Sequence, residues 1–199
     1  MGLIQRHSYE LYKFPPDVCL KTWLFHWWKP QHQERLDHVD VSELIAVSMK
    51  IGIISDTHGL LRPQAVEILQ GCDAILHAGD VGSSVLQPLS ELAPLYAIRG
   101  NVDREGPPSL LPAQLNVAFF RRRFLLIHDS KELQPTDLIN VDVVICGHSH
   151  KARVDNELGI LRINPGSAGP RRFKLPVGLG VLRLHKSGFM DVELMENRL

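Results

Sequence analysis

"MKIGIISDTHG", residues 49–59, decides how the rest of the chain is read. The apolar run through Ile54 has the length and β-branched content of a buried strand, which we place at Lys50–Ser55. The run stops in polar residues, with Asp56 and His58 two positions apart. In extended backbone, residues i and i+2 point the same way, so both side chains can reach one place.

The same punctuation recurs downstream. "AILHAGD" ends on Asp80, and "LYAIRGNVD" delivers Asn101 and Asp103. "FLLIHD" delivers His128, and "VVICGHSH" delivers His148 and His150. Strands are expected at Ala74–His77, Leu95–Arg99 and Asp142–Cys146, with a hairpin of Gln114–Phe119 and Arg122–His128 across a turn at Arg121–Arg123. Helices are expected at Pro63–Gln70, where Pro63 suits a first turn and Gly71 follows the end, at Ser84–Leu92 and at Leu133–Asn140. Short strands follow at Lys151–Asp155, Ile160–Asn164, Val177–Leu184 and Phe189–Leu194. Strand–helix alternation early and hairpins late predict an α/β fold: two packed mixed β-sheets flanked by helices, a four-layer α/β/β/α sandwich.

In open α/β sheets, ligands gather outside the carboxyl ends of strands. Five strand ends here bring carboxylate, imidazole and amide groups to one edge. Gly59, Gly79, Gly100 and Gly147 stand beside them and permit sharp turns. That donor mixture suits divalent transition metals. No cysteine joins it, which argues against a structural zinc finger. Seven donors exceed the needs of one ion; two ions about 3.5–4 Å apart, sharing one carboxylate, would use them all.

The remaining composition narrows the function class. Lysine plus arginine equals aspartate plus glutamate, 22 each, so nothing favours a nucleic-acid polymer or an anionic membrane as partner. Three cysteines, Cys19, Cys72 and Cys146, form no CxxC and suggest a reducing cytoplasm rather than a disulfide framework. No apolar stretch approaches the length of a membrane span. The first residues lack the apolar core of a secretory signal, and Arg6 breaks a myristoylation motif.

Composition shifts near residue 48. All three tryptophans, Trp23, Trp27 and Trp28, precede it, and a short helical period is visible only around Val39–Val47. We expect residues 1–48 to be a poorly ordered extension or a stretch foreign to the native protein, and residues 49–199 to be the functional domain. A partner-binding arm anchored by the tryptophans is the alternative.

The ordered set D-x-H, G-D, G-N-x-D, H, G-H-x-H resembles the calcineurin-like metallophosphoesterases, most closely their small bacterial and archaeal phosphodiesterases. "SDTHG", "HAGD", "RGNVD", "GHSH" and "NPGS" (164–167) carry the likeness, which spans Met49 to about Leu194. It implies that Asp56, His58 and His150 hold one metal, that Asn101, His128 and His148 hold a second, and that Asp80 bridges them. It further implies hydrolysis of a small phosphodiester by a metal-bound hydroxide, with Asp56, Asp80, Asn101 and His148 as the catalytic set. Two Mn²⁺ ions are expected, with Zn²⁺, Ni²⁺ or Fe also compatible. Cyclic nucleotides, nucleotide-derived diesters and other small phosphodiesters all fit as substrates, and a homo-oligomer is compatible with the residues.

Taken singly, each residue has an ordinary reading. An Asp after a strand caps helices or turns, Asn101 is turn chemistry, and a lone His128 is more often a satisfied core histidine. His77 reads as a core support or as a group orienting Asp80, and Asp103 as another support. His185 and Arg121–Arg123 read as surface. Arg171 and Arg172 read as a surface pair, with contact to a substrate phosphate as the alternative.

Two positions depart from the family pattern. Many relatives carry a histidine after the motif asparagine, where this chain has Val102, whose side chain donates nothing; the absence of that histidine is common among the small phosphodiesterases. Relatives often have His-Gly where this chain has His128-Asp129, adding a side chain and a charge near the metals. The alternatives are a phosphomonoesterase on the same site and a non-catalytic scaffold of the kind attributed to the retromer subunit of this fold.

Overall fold

The computed structural model describes the backbone of residues 4–9 together with residues 48–172 and 174–199. The tryptophan trio, Cys19 and the helical period at Val39–Val47 lie outside the described residues. Eleven strands among the described residues form two sheets. In chain order they are β1 Ile4–Tyr9, β2 Ser48–Ile54, β3 Ala74–His77, β4 Leu95–Ala97, β5 Gln114–Phe119, β6 Arg122–Ile127, β7 Val143–Ile145, β8 Arg153–Glu157, β9 Ile160–Asn164, β10 Gly178–His185 and β11 Met190–Glu196. The first sheet runs β1-β11-β10-β2-β3-β4 and the second β5-β6-β7-β9-β8. Within them β2, β3 and β4 are mutually parallel, as are β6, β7 and β9. Both parallel sets therefore end at the same kind of edge.

Alternation along the strands builds the layers. Ile51 and Ile53 of β2 and Leu76 of β3 turn inward against Phe124, Leu126, Ile145 and Ile163 of the second sheet, all of them fully buried. Deleting one such side chain to alanine costs about 2–5 kcal/mol. Ile54, Ile75 and Val181 face the other way, against helices α1 (Pro63–Leu69) and α2 (Ser83–Leu92). The helices bury Ala65, Leu69, Val85 and Leu89 there. Pro63 stands in the first turn of α1, where its missing N–H costs nothing.

The fold is the expected pair of packed mixed sheets, with local corrections. Leu133–Asn140 forms no α-helix. Two 3₁₀ turns, Ser130–Glu132 and Pro135–Leu138, cover Leu125, Ile127, Val144 and Cys146 instead. Pro135 cannot continue a helix begun before it, and Asn140 leaves helical space at φ 60°. Gln134 and Asp137 cap the single turn between them. A further 3₁₀ turn at Pro107–Leu110 follows β4.

Arg122 also departs from the surface reading. It belongs to β6 and reaches Asp142 at 3.0 Å, tying β6 to the start of β7. The backbone of Ile4–Tyr9 pairs antiparallel with β11, from Ile4↔Met195 to Tyr9↔Met190, and extends the first sheet by one strand.

Candidate metal centre

Every strand-end residue singled out in the sequence arrives at one edge. Asp56 and His58 follow β2, Asp80 follows β3, Asn101 and Asp103 follow β4, His128 follows β6, and His148 and His150 follow β7. Of the nine described non-glycine residues with φ in the left-handed region, five are Asp56, His58, Asp80, His148 and His150. That conformation costs an L-residue about 1–2 kcal/mol. Its concentration on these five marks a loop cluster held against local preference, as functional sites are.

Hydrogen bonds sort the carboxylate oxygens into held and free. Asp56 Oδ2 accepts from Ser55 Oγ (2.6 Å) and from the His148 N–H (3.1 Å). Its Oδ1 is buried with no donor, 3.2 Å from His150 Nε2 and 4.0 Å from His128 Nε2. Asp80 Oδ1 accepts from the Val102 N–H at 3.0 Å, which leaves Oδ2 facing His128 Nε2 at 3.3 Å and His58 Nε2 at 3.9 Å. Each aspartate is thus anchored by one oxygen and offers the other to the centre.

The imidazoles repeat this logic. His128 Nδ1 lies 2.7 Å from the Ala78 carbonyl, which only accepts, so Nδ1 carries a proton. In the neutral ring Nε2 is then a lone pair, aimed at Asp80 Oδ2 and, at 3.2 Å, Asn101 Oδ1. His148 Nδ1 approaches the same amide oxygen at 3.1 Å. His58 and His150 stack with ring centroids 5.4 Å apart, and His58 Nε2 and His150 Nδ1 are buried without partners.

Electron-pair donors facing one another across a buried gap are unfavourable unless something positive sits between them. Asp56, His58 and His150 bring ligand atoms within 4.8 Å of one another, and so do Asp56, Asp80 and His128. The donor set therefore fits divalent metal ions.

The local electrostatics say the same of the metal-free protein. Burial disfavours a charged His128, yet the Asp80 carboxylate and the Ala78 carbonyl outweigh it and hold its pKa above the ordinary value. Asp80 is held below its ordinary value: burial opposes this, while the His128 ring and the Val102 N–H prevail. Positive charge on His128, in the gap that a cation would take, is thus favoured by the surrounding groups. Burial lowers His58 despite Asp80 and Asp56, and Arg172 adds to the lowering.

Supporting residues explain why the loops hold. Asp103 accepts from the N–H groups of Val81 (2.9 Å), Gly82 (3.0 Å) and Gly100 (2.9 Å). His77 does not touch Asp80. Its Nδ1 accepts from the Gly79 N–H at 3.3 Å and its Nε2 donates to Thr57 Oγ1 at 2.9 Å, while that hydroxyl donates to the Val81 carbonyl at 2.7 Å. Asn164 of "NPGS" donates to the Gly147 carbonyl (2.7 Å), and Ser167 Oγ to the Asp56 carbonyl (3.0 Å). Sequence reasoning assigned no role to Ser55, Asn164 or Ser167; the "NPGS" motif was the one signal pointing to the last two. Arg171 donates to the Leu175 carbonyl, and Arg172 is exposed. Beside His58 opens a cleft of about 380 Å³, lined by Ser83, Val102, Arg104 and Pro108 among others.

Comparison with known proteins gives a consistent picture. A model of the calcineurin-like phosphoesterase superfamily domain matches residues 49–187, more than half the chain. A probable metallophosphoesterase of Methanothermobacter thermautotrophicus is 36% identical over 154 residues, covering 68% of this chain and 86% of that protein. A phosphodiesterase of Methanocaldococcus jannaschii is 28% identical over 166 residues, covering 73% and 99%. Among solved structures, Vps29 from Entamoeba histolytica complexed with Zn²⁺ superposes with a TM-score of 0.61 at 22% identity, over 74% of this chain and 92% of that one, which is a likeness of fold.

Proposed function

This chain belongs to the calcineurin-like phosphoesterase superfamily, a metal-dependent family, and on that premise we propose that it hydrolyses small phosphodiesters with two divalent ions, Mn²⁺ foremost. The observation that carries the proposal is the convergence of electron-pair donors: Asp56 Oδ1 and His58 Nε2, buried without hydrogen-bond partners, and His128 Nε2, turned toward Asp80 and Asn101. Asp56, His58 and His150 would hold one ion, Asn101, His128 and His148 the other, with Asp80 shared. When bound, such a pair supplies Lewis acidity, which makes a water nucleophilic near neutral pH and offsets charge on the phosphoryl oxygens.

The chain's own residues define the rest. Ser55, Val102 and the His148 N–H hold the two aspartates in one orientation, so the site needs little reorganisation. Val102 is 48% exposed in the cleft wall and offers no proton to a departing alkoxide. Esters with good leaving groups are therefore favoured. The M. jannaschii relative is named a phosphodiesterase, which supports the diester reading. The two described cysteines are buried free thiols, consistent with a reducing cytoplasm as the place of action.

The test uses the full chain stripped by chelator. With Mn²⁺ restored, it should turn over an aryl phosphodiester faster than the aryl monoester of the same phenol. Asp80→Ala should lose turnover altogether. Silence with Mn²⁺, Zn²⁺ and Ni²⁺ alike would refute the enzyme reading and favour a scaffold.

A further inference from the structure

We propose that Asp129 is a positioning residue for His148, drawing the ring proton to Nε2 so that Nδ1 remains a free lone pair for the second cation. The proposal rests on the metal reading above.

A neutral imidazole carries one N–H, and its two nitrogens compete for it. His148 Nδ1 lies 3.1 Å from Asn101 Oδ1, an acceptor that rewards a proton on Nδ1. That tautomer would point a donor into the centre and remove the ring as a ligand. On the opposite side, His148 Nε2 lies 3.6 Å from Asp129 Oδ2. The spacing is that of an ion pair rather than of a hydrogen bond, and its effect is electrostatic. A full negative charge beside Nε2 outweighs a neutral amide oxygen beside Nδ1.

Asp129 is not free to swing away. Its Oδ1 accepts from the Lys131 N–H at 3.0 Å and caps the turn at Ser130–Glu132, which leaves Oδ2 toward the histidine. The neighbouring ligand position follows the same rule by other means. For the buried His128, the Ala78 carbonyl fixes the proton on the far nitrogen. His148 has 43% of its side chain exposed and no such carbonyl among its hydrogen-bond partners, so a carboxylate takes that part. Carboxylate–histidine–metal arrangements orient ligands in this way generally.

The ordinary alternative is that Asp129 merely caps its turn. Asp129→Ser separates the two, because a serine hydroxyl can keep the cap while removing the charge. Asp129→Asn, nearly isosteric, is the second variant. In metal-free full-length protein, ¹⁵N-histidine spectra should show His148 as the Nε2–H tautomer in the wild type and shifted toward Nδ1–H in both variants. Calorimetric titration with Mn²⁺ should show one of two binding events reduced about tenfold and the other unchanged. Unfolding midpoints of Asp129→Ser should stay near that of the wild type. An unchanged tautomer with unchanged affinities would overturn the proposal. Wild-type protein that binds no cation would instead refute the metal reading, and the tautomer spectra would still decide the part played by Asp129.

Discussion

Asp103→Ala tests how the site is held together. Asp103 is 6% exposed, and its carboxylate accepts three backbone N–H groups, from Val81, Gly82 and Gly100. Two of those donors adjoin Asp80 and Asn101 in sequence, so one side chain sets the spacing of two candidate ligands. Hydrogen bonds to a charged acceptor contribute about 1.5–3 kcal/mol each. Three do not simply add, and water from the adjoining cleft can reach some of the freed N–H groups. We therefore expect a loss of about 3–5 kcal/mol. For a domain near 150 residues this is a fall in Tm of roughly 10 °C. Asp103→Asn should fall between: its oxygen can serve Val81 and Gly100, while its amide group meets the Gly82 N–H donor to donor, costing about 1–3 kcal/mol. The assay is urea unfolding of the metal-free full chain, with unchanged m-values as the check that the unfolded state is comparable. An alanine variant within 1 kcal/mol of wild type, or an asparagine variant as damaged as the alanine one, would refute this account of the loops.

Three further outcomes follow from the same geometry. A Cβ at Gly147 would overlap Ser55 Oγ and sit 2.7 Å from Asp56 Oδ2, so Gly147→Ala should cut Mn²⁺ affinity by about tenfold or more in a calorimetric titration, and wild-type affinity would contradict the packing. Burial lowers His77 to about 4, so the unfolded state takes up its proton first as pH falls. Stability is complete above about pH 6.5 and is lost toward pH 4, by on the order of 3 kcal/mol. A His77 resonance that titrates near 6.5 would contradict this. Burial pushes the Cys146 thiol up to about 11 and also raises Cys72. Neither should be alkylated in the folded chain at pH 7.5, and label mapped by mass spectrometry to either would overturn the point.

Much of the site was legible because its residues stand within a few positions of strand ends. The run "IGIIS" announces a buried strand, the same words announce where it stops, and Asp56 and His58 follow at once. The same holds for "HAGD" and "GHSH". Leu133–Asn140 was misread because its apolar residues suit a helix, whereas Pro135 and the left-handed Asn140 leave room for a single turn.

By itself, the sequence determined which residues could serve as donors, which strands carry them and the kind of ion they suit. Tertiary structure alone decided which oxygen of Asp56 is held and which is free, which nitrogen of His128 keeps its proton, and that Asn164 and Ser167, at the end of β9 and just after it, clamp two loops. Those decisions are made at the Ala78, Gly147 and Asp56 carbonyls and at the His148 and Val102 N–H groups. Almost every residue carries those backbone groups, so no letter of the sequence marks the ones that folding will bring to a given side chain.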